Sequence, residues 1–287
     1  MQDISYPADT KTVTLPSGAK IAYLDRGAGP YTLVFLHGLG ANLKAWQKNV
    51  DSLSAHYRCI ALDLPGYGKS GKGDYPYGMA FFAGAVRAFC DTLDLQNVVL
   101  VGHSMGGQVA LTMTLADTSR LAKLVLIAPA GIETFSSAEA VWLKTVYTSA
   151  VIQNTPPEQI RKNFLINFYQ WPEDAEFMYE DRMFLRETAE YLDWCEMLPK
   201  CVASMLDEPV FDKLEEISLP SLILFGENDA LIPNTFLHKN LTTAQIAELA
   251  HSKIPGSQLR QIPECGHFVQ WEQAEKTNRA IRDFLAN

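Results

Sequence analysis

Asn97-Val-Val-Leu-Val-Gly-His-Ser-Met-Gly-Gly-Gln108 is the stretch on which the reading of this chain turns. Val98–Val101 is apolar at every position, the pattern of a strand buried on both faces of a parallel sheet. The residues after Ser104, MGGQVALTMTLA, read as a helix over Met105–Ala116. Between strand and helix, Gly102, Ser104 and Gly106 form G-x-S-x-G. A serine at so sharp a turn is held in a strained backbone conformation, and its neighbours two residues away must be small for the turn to close. The turn exposes the Ser104 hydroxyl above the strand's C-terminal edge, at the positive end of the helix dipole.

A serine hydroxyl is a weak nucleophile without a base and a carboxylate to orient that base. Two later strand ends supply them. The run SLILF leads into Gly226-Glu-Asn-Asp229, and QLRQI leads into Pro263-Glu-Cys-Gly-His267-Phe. Ser104, Asp229 and His267 each follow a strand, so they converge on one edge of a sheet. Glu227 and Glu264 stand nearby as alternative acids, and order and register favour Asp229. His103 is set aside as a base, because adjacent residues on a tight turn point different ways; it reads as a packing or hydrogen-bonding residue. A further loop, His37-Gly38-Leu39-Gly40, follows the strand YTLVFL. Its glycines let backbone N–H groups turn toward the site, and the Leu39 and Met105 amides are the expected oxyanion donors.

The rest of the chain fits around these points. A hairpin over Lys11–Leu15 and Lys20–Asp25 opens it. Strands at 31–36, 57–62, 97–101, 121–128, 221–225 and 258–262 then alternate with helices at 43–54, 77–93, 105–116, 243–252 and 269–285. That alternation implies an α/β architecture. The segment 132–215 breaks the rhythm and reads as all-helical, with helices near 138–152, 157–170, 173–194 and 196–206. Thr155-Pro-Pro-Glu158 looks like a capped helix start with a capping box. The expected division is a core of 1–131 and 216–287 and a helical cap of 132–215.

Asp63-Leu-Pro-Gly-Tyr-Gly-Lys-Ser-Gly-Lys-Gly73 imitates a nucleotide signature. A P-loop needs a glycine where this chain has Asp63, and the dinucleotide fingerprint needs a helix where Gly73-Asp-Tyr-Pro76 cannot begin one. The stretch reads instead as a loop near the site whose Asp63 and Ser70 bond its own backbone.

Together, H-G-x-G, D-x-P-G-x-G-x-S, G-H-S-M-G-G, G-x-x-D and G-H-F make the chain resemble the α/β-hydrolase superfamily over Val13 to Phe284, with an inserted cap. The nearest likeness is to bacterial carboxylesterases and monoacylglycerol-lipase-like enzymes. The resemblance implies a mostly parallel eight-stranded sheet with helices on both faces. It also implies a Ser104–His267–Asp229 triad, an acyl-enzyme intermediate, and no metal or cofactor. One departure is an extension of the connection after Asp229, near Phe236–Thr243, which is expected at the pocket rim.

Carboxylic esters of short to medium acyl chains, monoacylglycerols among them, are therefore the expected substrates. Carbon–carbon bond hydrolases of aromatic ring-cleavage products share a serine triad and a helical cap and are the second reading; a ligand-binding or receptor protein on the same fold is the third. Charge bears on the choice. The net charge of −9 argues against nucleic acid as a partner. The segment 132–215 holds 16 acidic and 7 basic residues, so it carries the whole excess. Such a cap should repel anionic substrates unless an internal arginine compensates, and Arg161, Arg182 and Arg186 read as helical surface charges. It should also avoid anionic membranes. With no apolar run near 18 residues, no secretory leader at MQDISYPADTK and five scattered cysteines, the expected setting is cytoplasmic, without membrane insertion.

Overall fold

In the computed structural model, which describes residues 5–287, eight strands form one sheet. They are β1 (Lys11–Thr14), β2 (Lys20–Arg26), β3 (Thr32–Leu36), β4 (Arg58–Leu62), β5 (Val98–His103), β6 (Leu121–Ile127), β7 (Ser221–Gly226) and β8 (Gln258–Ile262). Their order across the sheet is β1-β2-β4-β3-β5-β6-β7-β8. Only β2 runs against its neighbours; from β4 to β8 every pairing is parallel. The central strands explain their own composition. In β3 all five residues are buried: Leu33 and Phe35 face one apolar cluster, Val34 and Leu36 the other. Successive side chains of a strand point to opposite faces, so a strand covered on both sides must be apolar throughout.

Helices α1 (Gln47–Leu53), α2 (Met79–Thr92) and α3 (Met105–Ala116) follow β3, β4 and β5. Between β6 and β7 the chain makes five helices and no strand: α4 (Ser137–Val146), α5 (Ser149–Asn154), α6 (Pro157–Leu165), α7 (Glu176–Arg186) and α8 (Tyr191–Asp207). Then come α9 (Thr243–Lys253), α10 (Val269–Glu272) and α11 (Ala274–Leu285). On one face of the sheet, α11 contributes Ile281 and Phe284 to the cluster around Leu33 and Trp46. On the other, α2 and α3 contribute Phe82, Phe89 and Val109.

The insertion departs from its sequence reading in detail. The helix expected over 138–152 is cut at Tyr147, because the Thr148 hydroxyl accepts from Val151 N and starts a new helix. Thr155 does not cap α6. Its hydroxyl donates backward to Val151 O, Pro156 occupies the cap position, and the expected box with Glu158 does not form. Boxes form instead at Ser136/Glu139 and Thr242/Gln245. The helix expected over 173–194 ends at Arg186, and α8 then runs unbroken through Pro199. At the other ends of the chain, the helix expected over 43–54 begins with a 3-10 turn, Leu43–Trp46, and the one expected over 269–285 breaks at Gln273.

The loop 63–73 is tied into the core rather than shaped to hold phosphate. Asp63 is fully buried, and its carboxylate accepts from Leu43 N, Lys69 N and the Tyr6 hydroxyl. Ser70 donates to Asp63 O at 2.6 Å and accepts from Ala22 N.

The turn after β5 leaves no room for side chains at its two glycines. A Cβ on Gly106 would lie 2.3 Å from Leu36 O, and one on Gly102 would lie 2.4 Å from Gly106 O. Both obstacles are backbone atoms, which cannot step aside. Gly84, inside α2, faces open space. Gly106→Ala is therefore expected to destabilise the fold by more than about 2 kcal/mol, while Gly84→Ala stabilises it by up to about 1 kcal/mol. Urea unfolding of the two variants beside wild type gives the comparison.

Candidate active site

Ser104 adopts φ 53° and ψ −119°, a conformation that a residue with a Cβ rarely takes, at the junction of β5 and α3. The turn is pinned to its neighbour: Ser104 N donates to Ile127 O at 3.0 Å, and Ser104 O accepts from Ala130 N at 3.0 Å. The serine is partly exposed, and its hydroxyl has no hydrogen-bond partner among the described residues.

The loop after β3 crosses directly over this residue. A Cβ on Gly38 would stand 3.1 Å from Ser104 Cβ and 3.0 Å from His103 Nδ1. Among the described residues, neither Leu39 N nor Met105 N donates to a protein acceptor, so both amides are available to an oxygen in the site. His37 fixes the loop. Its Nε2 accepts from Leu64 N at 3.1 Å, which places the ring proton on Nδ1, 2.9 Å from Gly38 O. Burial pushes His37 down to about 4.

His267 Nδ1 lies 2.7 Å from Asp229 Oδ2, and both side chains are buried. The other carboxylate oxygen accepts from Leu231 N at 2.8 Å and Ile232 N at 3.1 Å, so Asp229 is held on both sides. Glu227 and Glu264 are exposed. His103 is not presented to the serine. Its Nε2 donates to His267 O at 3.0 Å, and its ring packs against those of His267 and Phe268. Burial and the neighbouring His267 hold it well below the ordinary histidine range, so it stays neutral. A hydroxyl, an imidazole oriented by a carboxylate and two free amides make an arrangement able to carry out nucleophilic acyl transfer.

Beside these groups lies a cavity of about 430 Å³. Leu39, Gly40 and Phe268 belong to its core side, while α5–α8 supply most of the rest. Arg182 lines it, against the expectation of a surface charge. Its Nη2 donates to Gly40 O at 3.0 Å, and its guanidinium lies 3.8 Å from the centre of the Trp194 ring. No carboxylate pairs with it among the described residues. Burial draws it down to about 10, still charged at neutral pH. Asp181, which also lines the cavity, is neutralised by Lys44 at 2.7 Å. The acidity of the insertion therefore does not decide the charge of the cavity: most of those carboxylates lie in solvent, and the half-buried, unpaired Arg182 is the cation that faces the inside. Arg161, by contrast, pairs with Glu176, and Arg186 donates to Thr155 O at 2.6 Å.

The sequence did carry a signal for Arg182. Met178, Asp181, Arg182 and Leu185 fall at i, i+3, i+4 and i+7 of α7, so two charged residues interrupt an apolar stripe. The extension after Asp229 is not on the cavity wall. Phe236 stacks on Trp142 of α4 at 5.0 Å, and His238 bonds Glu133, so the extension braces the start of the insertion. Among the described residues no three metal-ligating side chains converge, and no helix is long and apolar enough to cross a membrane.

His37 carries a pH signature. Its folded value lies below the ordinary 6.5, so its contribution to stability is full above that pH and is lost as pH falls through about 4. Wild type is expected to lose about 3 kcal/mol more unfolding free energy between pH 7 and 4 than His37→Gln does, as measured by denaturant titration at each pH.

The model of the alpha/beta hydrolase family matches residues 33–280. A 2-hydroxy-6-oxononadienedioate/2-hydroxy-6-oxononatrienedioate hydrolase of Klebsiella pneumoniae is 31% identical over 277 residues, covering 91% of this chain and 89% of that protein. A probable hydrolytic enzyme from Pseudomonas aeruginosa superposes with a TM-score of 0.86 at 25% identity, covering 99% and 95% of the two chains. A thermophilic esterase from Thermogutta terrifontis superposes at 0.76 with 25% identity, covering 97% and 98%. The strand order, the strained serine and these likenesses agree: the chain is a hydrolase and belongs to the alpha/beta hydrolase family.

Proposed function

We propose that this hydrolase cleaves a carbon–carbon bond beside a ketone in a small, conjugated carboxylic acid, and that Arg182 anchors the carboxylate. The observation that carries this reading is the unpaired guanidinium in the cavity, backed by Trp194 and tethered to Gly40 O beside the oxyanion loop. A cation partly withdrawn from water without a counter-ion carries a desolvation cost, and a bound anion offsets that cost. The Klebsiella relative is described as acting on a 6-oxo dioate, which is a keto acid of this kind.

In this reading Ser104 is the nucleophile, His267 the base and Asp229 the residue that fixes the imidazole's tautomer. His267 takes the hydroxyl proton as Ser104 Oγ adds to the ketone, and the Leu39 and Met105 amides hold the resulting oxyanion. The bond between the former carbonyl carbon and its neighbour breaks, and the electron pair enters the conjugated acid. His267 returns the proton to that carbon. Water deprotonated by His267 then releases the acyl group as a second acid. Conjugation is what makes carbon a tolerable leaving group, and a cation at the far carboxylate stabilises the charge that reaches it. The core of 1–131 and 216–287 would supply the reacting groups, and the cap of 132–215 would supply Arg182 and most of the enclosing wall. Five free, buried thiols support a reducing, cytoplasmic setting.

Carboxylic ester hydrolysis is the second reading, with the same triad and an alkoxide as leaving group. The apolar cavity residues Val151, Ile152, Ile160, Leu185 and Leu198 favour it, because they would accept a short to medium acyl chain, as in a monoacylglycerol.

Arg182→Met separates the two. If a carboxylate is anchored there, kcat/KM for a 2-hydroxy-6-oxo-dienoate falls about 30- to 100-fold, while p-nitrophenyl butyrate hydrolysis changes less than about threefold. Ser104→Ala should abolish both. Rapid ester turnover by wild type with no dienoate cleavage would overturn the carbon–carbon reading in favour of the ester one.

A further inference from the structure

His267 hangs on a loop that leaves β8, the last strand of the sheet, so no strand ladder continues alongside to hold it. Its backbone is held from elsewhere. Glu272, at the end of α10, accepts from Gly266 N at 2.7 Å and from Tyr169 N at 3.2 Å through Oε2. Through Oε1 it accepts from Gln170 N at 2.7 Å. Gly266 immediately precedes the histidine, whereas Tyr169 and Gln170 belong to the turn between α6 and α7. The same turn makes a second connection: Asn167 O accepts from His267 N at 2.7 Å and from Phe268 N at 3.2 Å. The two segments are in close backbone contact. A Cβ on Gly266 would lie 2.7 Å from Asn167 O, Phe168 Cα and Tyr169 N.

We propose that Glu272 is a positioning residue for His267, clamping the histidine loop and the α6–α7 turn of the insertion into one unit. Three N–H donors converge on one side chain, and only a carboxylate offers two oxygens and no hydrogen to meet them. With the clamp in place, each backbone polar group of His267 has a partner: N–H on Asn167 O and C=O on His103 Nε2. The ring's place relative to Ser104 is then set by the docked insertion as much as by Asp229. This constrains access to the cavity. The α6–α7 turn cannot lift to admit substrate without releasing the base, so access falls to the α4–α5 side, where Val151 both lines the cavity and is 53% exposed.

The test compares Glu272→Ala and Glu272→Gln with wild type in their rate of inactivation by a fluorophosphonate, a probe that needs Ser104 and its base but neither Arg182 nor a natural substrate. Rates are normalised to folded protein by circular dichroism, and the low-field proton resonance of the His267–Asp229 hydrogen bond is recorded alongside. Misplacing the base should slow Glu272→Ala about 10- to 100-fold and broaden or remove that resonance. Glu272→Gln keeps one oxygen, so it should retain the resonance and lose less than tenfold. That rescue distinguishes positioning from general support of the fold, and it remains readable from Glu272→Gln if Glu272→Ala does not fold. A folded Glu272→Ala that reacts at the wild-type rate overturns the proposal, as does an equal loss in both variants that only follows the folded fraction. The proposal rests on the serine-hydrolase reading, and a wild type that does not label at all overturns both.

Discussion

The close approach of two backbones at Gly102 and Gly106 is the constraint on which the rest of this molecule depends. A serine with φ 53° is unfavourable wherever it stands, and here the surrounding sheet enforces it. Because no side chain fits at either glycine, α3 can begin directly against β3, and the hydroxyl emerges at the helix's start. The loop carrying Gly38 and Leu39 then needs no long reach to Ser104, since it leaves the same strand whose carbonyl a Cβ on Gly106 would meet. Ser104, the Leu39 and Met105 amides and the neutral His37 thus form one rigid corner built from adjacent strands.

Much of that corner was legible in the sequence because it obeys local rules. Runs such as VVLV and SLILF can only be doubly covered strands, and glycines at fixed offsets announce turns that exclude a Cβ. Asp229 and His267 could be chosen because strand ends in a parallel sheet share an edge. What escaped was set by tertiary packing. Thr155 had the right neighbours for a cap, yet its hydroxyl found Val151 O one turn back. The interrupted apolar stripe of α7 hinted at Arg182, but composition alone could not tell it from a surface arginine, since its enclosure depends on how α7 lies over Gly40 and against Trp194. Glu272 was equally silent, because all its partners are backbone groups distant in sequence or without side-chain character.

Charge gives the clearest case of a bulk property misleading a local one. The insertion carries net −9, yet the charge that faces the cavity unpaired is positive. Carboxylates in water are screened within about 8–10 Å at ordinary ionic strength, whereas a guanidinium half-withdrawn from water into a cavity is screened less. An acidic exterior and an anion-seeking interior therefore coexist without conflict. The acidic surface can favour solubility while leaving the pocket's selectivity to one residue.

The position of β8 at the sheet's edge has a consequence for how the protein fails. Edge elements open locally at lower free energy than the central strands, and β8 is only half-buried along most of its length. His267 is attached to that strand, whereas Ser104 sits between β3 and β6 in the most protected part of the sheet. Fraying of that edge under mild heat or denaturant would displace His267, and an activity that depends on it, from molecules that spectroscopy still counts as native. The lifetime of such an activity would follow subglobal opening at one margin of the sheet, and strengthening the centre of the core would do little to extend it.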